Sequence, residues 1–355
     1  MRLDDLRSDQ IAEIDKQNLL DKITQFPAQC EKCWEEIQKL VLPSYYLIIN
    51  KVVVLGMGGS GASGRIIQDF ARTYSKYPIL VQADYGIPEF VDNKTLILAV
   101  SFSGNTEETI DAFAGAKEKG AKIISITSGG ELERLSQKFR LPYYKFVYPS
   151  PPRTGIGFLF TAILGILKRL EILDINKNEV LAAFATLRDV NEKFKPTSPA
   201  RRNIAKQLAQ VLQGFIPVIW GSSFLSNVAF RIKSDINENA KTAAYSEILP
   251  ELNHNAISGL DWPEELSKKI YVVILQSKFD PQRVRTRQDI CSQILTKKNI
   301  SHKKLLVEPT PTPLSEILTN ILFSEYLGFY LALLNDTDPG TSEEIDYLKE
   351  RLKGK

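Results

Sequence analysis

Short apolar runs, each followed by a polar or glycine-containing turn and then by sequence of helical periodicity, recur along most of the chain. In the first half, runs of this kind predict strands within 46–56, 78–85, 95–104 and 121–130. In the second half, strand-like runs at 214–223, 268–277 and 302–309 alternate with helical sequence at 224–242 and 285–298. Near-continuous apolar strands that alternate with helices are typical of a doubly wound, mostly parallel sheet. The pattern therefore predicts an α/β protein.

Helical sequence flanks this alternation. Residues 1–44 predict one or two helices that stop at Pro43, and the C-terminal part predicts helices at 314–334 and 342–352. The charged, proline-containing stretch 193–203 is the best candidate linker. Since "VIWGSS" in the second half is similar to "VVLGMGGS" in the first, the two α/β halves are predicted to be related. The predicted divisions are a helical segment, 1–44, and two α/β domains, 45–192 and 193–355.

Composition narrows the function classes. A net charge of +3, from 45 Lys and Arg against 42 Asp and Glu, does not favour a nucleic-acid or membrane-surface partner. The apolar stretches 156–167 and 317–334 are respectively too short for a membrane span and interrupted by polar residues, so both predict buried helices. Cys30 and Cys33 have C-x-x-C spacing without the second pair or nearby His of a zinc site, so two ordinary thiols on a helix are expected. The odd cysteine count and the absence of a leader-like start favour a reducing, cytoplasmic setting.

The segment "LGMGGSGASG" follows the first buried strand and satisfies G-x-G-x-x-G through Gly56, Gly58 and Gly61. Three interpretations are open at this point. The glycines could simply form a tight strand-to-helix turn, or they could bind a dinucleotide, with Asp84 after the next strand accepting the ribose hydroxyls. Alternatively, the helix N-terminus and the Ser60 hydroxyl could bind a monophosphate.

The loop after the third strand, "SFSGNTEET", distinguishes the last two interpretations. Ser101, Ser103 and Thr106 place three hydroxyls within six residues beside a glycine, at another strand-to-helix turn. A phosphate dianion accepts several hydrogen bonds at each oxygen, whereas a dinucleotide fold does not require this density of hydroxyls. One hydroxyl is explained by an N-cap, but three are harder to explain that way. The loop therefore favours a phosphate site.

The segments "GMGGSG", "SFSGNTEET", "ITSGGELE" and "PPRTGIGF" together resemble the sugar isomerase (SIS) domain, and specifically the bifunctional phosphoglucose/phosphomannose isomerases. The resemblance runs from about 45 to 352. It implies two SIS-type doubly wound αβα sandwich subdomains with mostly parallel sheets, plus N-terminal and C-terminal helices. It also implies binding of a sugar phosphate by five residues, namely Gly59, Ser60, Ser101, Ser103 and Thr106.

The chemistry of an aldose–ketose isomerase then identifies candidate catalytic residues. Such an enzyme needs a base to carry a proton between C2 and C1, a group to open the sugar ring, and a positive charge beside the enediolate. Only two histidines exist, and His302 lies in a charged string, so His254 is the candidate ring opener. Glu238, sixteen residues earlier on a predicted helix, is the candidate base, and Arg153 the stabiliser.

These assignments match the phosphoglucose isomerase pattern, which adds a C-terminal lysine, here Lys349, to ring opening. The resemblance further implies a homodimer in which His254 is supplied across the interface. No metal or cofactor is expected, since two histidines forty-eight residues apart cannot form the His-rich zinc site of unrelated phosphomannose isomerases. The predicted reaction interconverts glucose 6-phosphate and mannose 6-phosphate with fructose 6-phosphate through a cis-enediol(ate).

Three other functions are weighed against this one. A non-catalytic SIS-type sugar-phosphate sensor would keep the phosphate loops and lose the base. The isomerase half of a glucosamine-phosphate synthase would use a lysine-centred site and normally a glutamine-hydrolysing domain. An NAD-dependent oxidoreductase would depend on Asp84 and the glycine loop alone.

Overall fold

The computed structural model describes residues 3–5, 7–150 and 152–352. Its contacts divide the chain into two compact units. Unit A comprises residues 25–185 and 312–315, and unit B comprises the described residues of 1–24, 186–311 and 316–355.

Unit A contains a parallel five-stranded sheet in the order β2-β1-β3-β4-β5. The strands are β1 (Lys51–Leu55), β2 (Ile79–Gln82), β3 (Thr95–Ser101), β4 (Lys122–Thr127) and β5 (Tyr143–Lys145). The central strand β3 is buried at every position, as expected for a parallel sheet covered on both faces. Val53 and Leu55 face the cluster formed with Phe113 and Leu132, whereas Val54 faces the opposite side, against Gly64.

The helices of unit A cover both faces of this sheet. They are α3 (Phe26–Lys39), α4 (Gly58–Tyr74), α5 (Glu107–Glu118), α6 (Gly130–Lys138) and α7 (Ile156–Arg169), and α8 (Lys177–Phe194) crosses the division between the units. The predicted helix at 156–170 corresponds to α7, which is buried from Ile156 to Leu167. It packs against α3 and α4.

Unit B contains a second parallel sheet, in the order β7-β6-β8-β9. The strands are β6 (Ile216–Ser222), β7 (Tyr245–Leu249), β8 (Ile270–Leu275) and β9 (Ser301–Leu305). The described helices are α1 (Ser8–Ile14), α2 (Leu19–Thr24), α9 (Ile204–Leu212), α10 (Ser226–Ala240), α11 (Glu264–Ser267), α12 (Gln282–Lys297), α13 (Pro313–Leu334) and α14 (Glu343–Leu352). The first four strands of each sheet follow the same order, which agrees with the predicted relation between the halves. The α/β class is therefore confirmed.

The long helix α13 is the most apolar element. By length and composition alone it could cross a membrane, yet its whole apolar window is buried inside the structure. Ser324 and Glu325 interrupt that window and are themselves buried. This burial agrees with the prediction of a core helix.

Two short strands, β5 and β7, were not predicted from the sequence. β5 has only three residues, and β7 is an edge strand in which only Leu249 is fully buried. Neither contains the continuous apolar run that identified the other strands. Because β7 immediately precedes the His254 segment, its presence determines where that histidine lies.

We predict that Gly328→Ala will destabilise the protein. A Cβ at Gly328 would lie 2.8 Å from the Asp235 carbonyl oxygen on α10, so the two helices must move apart. Overpacking of this kind costs about 1–3 kcal/mol, against about 1 kcal/mol of helix propensity gained by alanine. Urea denaturation should therefore show a net loss of up to about 2 kcal/mol.

Gly259→Ala is the matched control, because a Cβ there would meet its nearest neighbour at an ordinary 3.5 Å. An unchanged midpoint for Gly328→Ala would show that α10 and α13 do not need this close approach.

Candidate active site

The glycine loop forms a tight turn between β1 and α4. A Cβ at Gly61 would lie 2.4 Å from the Gly56 carbonyl oxygen, and one at Gly64 would lie 2.8 Å from the Val54 side chain. Gly58 has a positive φ of 50°, which favours glycine. These glycines therefore let α4 begin directly above the end of β1, where its free N–H groups are available to an anion.

Gly59 and Ser60 lie in the first turn of α4. Gly59 is half-buried and Ser60 is buried. They occupy the position at which the helix dipole is most favourable to a negative charge. Within unit A, β1 and β3 are neighbours, so this turn lies beside the end of β3.

The predicted phosphate residues after β3 form a bonded loop. Ser101 Oγ and Thr106 Oγ1 are 2.8 Å apart, and Ser101 Oγ also accepts the Gly104 N–H at 3.0 Å. Ser103 is exposed, and its hydroxyl accepts the Asn105 N–H at 3.2 Å. Thr106 occupies the N-cap position of α5, but its hydroxyl makes no capping hydrogen bond. The N-cap explanation therefore does not account for the Thr106 hydroxyl.

The loop after β4 supports this arrangement. The Asn105 side-chain oxygen accepts the Glu131 N–H at 3.0 Å, and the Phe102 carbonyl accepts the Ser128 hydroxyl at 2.7 Å. Gly104 approaches the Gly129 carbonyl so closely that no side chain could be accommodated. The loop that carries Ser101, Ser103 and Thr106, which we call the hydroxyl loop, is thus hydrogen-bonded to the neighbouring loop along the edge of the sheet.

Arg153 is half-buried in a 3₁₀ helix, Pro152–Gly155, that packs against α3 and α4. A Cβ at Gly155 would meet the Phe102 ring at 2.3 Å, so this segment lies against the residue that follows Ser101. The structure therefore brings the Arg153 segment and the hydroxyl loop together within unit A.

Glu238 is half-buried in the last turns of α10, in unit B. The same helix carries a buried charge network in which Arg231 Nη2 lies 2.7 Å from Asp235 Oδ1 and 3.5 Å from Glu325 Oε1 on α13. Ser324 Oγ donates to Asp235 Oδ2 at 2.5 Å. At the last residue of α10, the Ala240 carbonyl accepts a hydrogen bond from the Asn335 side chain at 3.1 Å.

The charges in this network influence one another's pKa values. Burial lowers the pKa of Arg231, but Asp235 and Glu325 outweigh burial and raise it overall. Burial raises the pKa of Glu325 well above its usual range, against the opposing effect of Arg231. Removing one partner of such a buried pair typically costs about 3–5 kcal/mol. The network therefore fixes the helix on which Glu238 lies.

His254 is exposed at the end of a 3₁₀ helix, Glu251–His254, that follows β7. The side-chain amide of its neighbour Asn253 makes hydrogen bonds through both its nitrogen and its oxygen. The nitrogen donates to Cys291 Sγ at 2.9 Å, and the oxygen accepts from Arg287 at 3.1 Å. Helix α12 therefore orients the His254 segment through Asn253.

The structure does not bring Glu238 and His254 of one chain together. Since β6 and β7 are parallel, α10 returns the chain from the carboxyl edge of the sheet to the amino edge. Glu238 lies near the end of this return, and His254 lies beyond the opposite end of β7. That strand alone spans roughly 13 Å, at about 3.3 Å per residue. Within one chain, the two groups therefore lie toward opposite edges of the sheet.

Lys349 is exposed on α14. Just before this helix, the Thr341 carbonyl accepts from Lys241, three residues after Glu238, at 2.7 Å. The start of α14 and the end of α10 therefore meet at the same edge of unit B. Lys349 lies further along α14.

The residues weighed for other roles have local structural explanations. Asp84 is exposed and accepts the N–H of its neighbour Tyr85 at 2.8 Å. His302 bonds through its two ring nitrogens to Ser292 and to the Ile300 carbonyl, each at 2.9 Å. Cys33 is buried and its thiol donates to the Phe158 carbonyl at 3.3 Å, while burial raises its pKa well above the usual range.

No cluster of three or more His, Cys, Asp or Glu side chains suited to a metal occurs within the described residues. Sequence reasoning missed the Arg231, Asp235 and Glu325 network. The sequence does contain an indication of this network, because Ser324 and Glu325 interrupt an otherwise apolar helix and require buried partners.

The comparisons with known proteins extend over nearly the whole chain. Residues 48–147 match the SIS domain family, and residues 201–352 match the family described as the bacterial phospho-glucose isomerase C-terminal SIS domain. The chain is 33% identical, over 335 residues, to the bifunctional phosphoglucose/phosphomannose isomerase of Caldicellulosiruptor bescii, covering 94% of this chain and 98% of that protein. It is 32% identical to the enzyme of that name from Aquifex aeolicus, covering 90% and 94% respectively.

Among solved structures, a hypothetical protein from Thermus thermophilus superposes with a TM-score of 0.75 at 15% identity. The match covers 99% of this chain and 94% of that one. At this level of identity the likeness concerns the fold, which is that of a two-sheet α/β protein.

We predict that Ser103→Ala will weaken binding of inorganic phosphate without unfolding the protein. The Ser103 hydroxyl is exposed and bonds only within its own loop, so the alanine variant keeps the fold. A hydrogen bond to a charged group contributes about 1.5–3 kcal/mol, which corresponds to a loss of affinity of roughly tenfold or more. Isothermal titration calorimetry measures the change.

Ser75→Ala serves as the control, because Ser75 lies at the other end of α4 and its hydroxyl bonds to Tyr77. Equal phosphate affinity for the two variants would remove Ser103 from the phosphate site.

Proposed function

We propose that this chain, which belongs to the bifunctional phosphoglucose/phosphomannose isomerase family, interconverts glucose 6-phosphate and mannose 6-phosphate with fructose 6-phosphate. The observation that carries the proposal is the similarity to isomerases of that name along nearly the full length of both chains. The hydroxyl loop and the half-buried Glu238 support it from the structure.

The substrate's phosphate would bind at the carboxyl edge of the unit A sheet. The first turn of α4 offers backbone N–H groups through Gly59 and Ser60, and the neighbouring loop offers Ser101, Ser103 and Thr106. Together these donors suit a dianion that accepts several hydrogen bonds. The hydroxyls bond to one another and to their own loop, so phosphate binding would exchange those contacts for contacts to the ligand.

Proton transfer would proceed on the open-chain sugar. Glu238 removes the proton from C2, the C2–H electrons form the C1–C2 double bond, and the carbonyl oxygen becomes the enediolate oxygen. Arg153 stabilises that negative charge. Return of the proton to C1, with transfer of the O2 hydroxyl proton to O1, gives the ketose, and return to either face of C2 gives glucose or mannose 6-phosphate. A planar intermediate shared by C2 epimers therefore explains how one site can run both reactions.

Ring opening would precede this transfer. His254 exchanges a proton with the ring oxygen and Lys349 assists it. Imidazole is suited to this exchange because its ordinary pKa lies near neutral pH. No metal ion is required by these steps.

We also propose a cytoplasmic homodimer in which each site takes His254 from the partner. The support is that Glu238 and His254 of one chain lie at opposite edges of the unit B sheet. Trp262, eight residues after His254, is 81% exposed. Aromatic side chains such as Trp are enriched at protein interfaces. The alternative, a sugar-phosphate sensor, would not need Glu238 or a second subunit's histidine.

We expect purified protein to form fructose 6-phosphate from both glucose 6-phosphate and mannose 6-phosphate, with activity retained in a chelator. A coupled assay with each substrate measures this. Phosphate binding without turnover of either sugar would instead favour the sensor.

Glu238→Gln should abolish exchange of the C2 proton with solvent while leaving phosphate affinity unchanged. The amide keeps the shape of the side chain but cannot accept the proton. Proton NMR in deuterated water follows the exchange, and Glu247→Gln, a half-buried glutamate on β7, is the control. Retained exchange in Glu238→Gln would assign the base to another residue.

Mixed dimers test the partner's histidine. In a dimer of Glu238→Gln with His254→Ala, one site combines an intact glutamate with an intact partner histidine. Statistical pairing makes half of the dimers mixed, each with one good site, so co-expression should restore about a quarter of wild-type activity from two inactive variants. Co-expression of Glu238→Gln with the double variant Glu238→Gln/His254→Ala should restore no activity, because neither chain then has the glutamate. Failure of the first pair to recover activity would contradict action of His254 across the interface.

A further inference from the structure

Five buried polar side chains meet at the carboxyl edge of the unit B sheet, where β6 and β8 end. We call them the acceptor cluster. Its members are each at most 4% exposed and comprise Ser222, Ser277, Asp280, Gln288 and Glu316. The chain leaves β6 toward β7 on one side, while β8 lies on the other, so this is the switch point of the sheet. Ligands of open α/β sheets bind preferentially at such a point.

Hydrogen bonds define the cluster. Gln288 Nε2 donates to Ser222 Oγ at 3.0 Å and to Asp280 Oδ2 at 3.1 Å. It also donates to the Leu275 carbonyl at 3.1 Å, and Ser222 Oγ donates to Asp280 Oδ2 at 3.2 Å. The Gln288 amide hydrogens and the Ser222 hydroxyl hydrogen are therefore already engaged. Within the cluster this leaves the Ser277 hydroxyl as a donor, and its effect is on Glu316.

Four buried oxygens in the cluster accept no hydrogen bond of ordinary geometry from a described residue. They are Asp280 Oδ1, Gln288 Oε1, Glu316 Oε1 and Glu316 Oε2. Gln288 is fully buried, and since its amide nitrogen bonds Asp280, its unpartnered oxygen also lies at the cluster. All four atoms are acceptors. What they lack is a donor or a positive charge.

The surrounding cations form no ion pair with the carboxylates of the cluster. Lys278 is exposed, and its effect on the pKa of Glu316 is smaller than that of burial. The Arg285 guanidinium donates to the carbonyls of Lys278 and Asp280 and to Gln282, and not to a carboxylate of the cluster. Burying two carboxylates without a compensating charge costs several kcal/mol. An occupant that contributes positive charge would remove this cost.

We propose that the acceptor cluster binds a hard divalent cation of the Ca²⁺ class. The available ligands are all oxygens, with two carboxylates to balance a charge of +2 and neutral amide and hydroxyl oxygens to complete the shell. Ca²⁺ accepts 6–8 such ligands in irregular geometry, whereas Mg²⁺ demands a near-ideal octahedron. The cluster contains no His or Cys, so zinc and copper are not favoured.

Protons compete for the same oxygens. Burial raises the pKa of Glu316 to about 7, with the Ser277 hydroxyl and Lys278 opposing the shift and Asp280 adding to it. A proton on Glu316 satisfies at most two of the four oxygens, the one that carries it and one that accepts from it, whereas a cation can be shared by all of them.

The cation would tie α12 and the beginning of α13 to the end of β8. Helix α12 also carries Arg287 and Cys291, which hold Asn253 beside His254. The site is separate from Glu238, which lies at the opposite edge of the sheet. Its expected contribution is therefore to stability, and binding can be measured without assaying isomerase activity.

The experiment is titration of chelator-treated full-length protein with CaCl₂ at pH 8, by calorimetry and by thermal unfolding. We expect one site per chain and a midpoint raised by about 2–5 °C at a hundredfold excess over Kd. Terbium luminescence excited through Trp220, two residues before Ser222 on β6, locates the site. Mg²⁺ in place of Ca²⁺ should bind more weakly.

Glu316→Gln should abolish the Ca²⁺ response while leaving the cation-free protein folded at pH 8, since it removes a buried uncompensated charge. Asp289→Asn is the matched control, because Asp289 adjoins Gln288 on α12 but is exposed and pairs with Lys304. Absence of binding by wild-type protein, or equal binding by Glu316→Gln, would overturn the proposal and assign the cluster to protons and water.

Discussion

All strands in both sheets run parallel, and this constraint determines where every candidate residue lies. A helix between parallel strands must return the chain from the carboxyl edge to the amino edge. Residues just after a strand therefore collect at one edge, and residues near the end of the following helix lie at the other. The phosphate loops of unit A belong to the first class, as does His254 in unit B, whereas Glu238 belongs to the second.

The buried charge network gives this topology its rigidity around Glu238. Hydrophobic contact between α10 and α13 would allow the helices to slide, but Arg231, Asp235 and Glu325 bond at fixed distances and cannot be left unpaired in the interior. The close approach of α13 to α10 at Gly328 also limits sliding of the helices, because it leaves no space into which α10 could shift. A base that must reach one carbon of a sugar benefits from a helix held in this way.

The continuous apolar runs and the turns after them were predictable from the sequence, because a parallel sheet buried on both faces demands them. The α/β class and its helices followed from that pattern, and the family was recognised from "SFSGNTEET" and its companion motifs. Edge strand β7 was not predictable, since its half-exposed residues give no apolar run. Without it, a separation of sixteen positions does not tell at which edge of the sheet Glu238 and His254 lie. With it, the topology places them at opposite edges. The buried network of Arg231 and Asp235 escapes sequence reasoning because its partners on α13, Glu325 and Ser324, are 94 and 89 residues away along the chain.

The glycine pattern illustrates why one motif cannot decide a function. Gly61 and Gly64 are required by close packing on Gly56 and Val54, and any ligand that approaches this helix N-terminus would need the same turn. The distinction comes from the next loop along the sheet. A phosphate dianion requires hydroxyls, and Ser101, Ser103 and Thr106 supply them beside the turn. Specificity in this fold therefore resides in the residues around the glycines rather than in the glycines themselves.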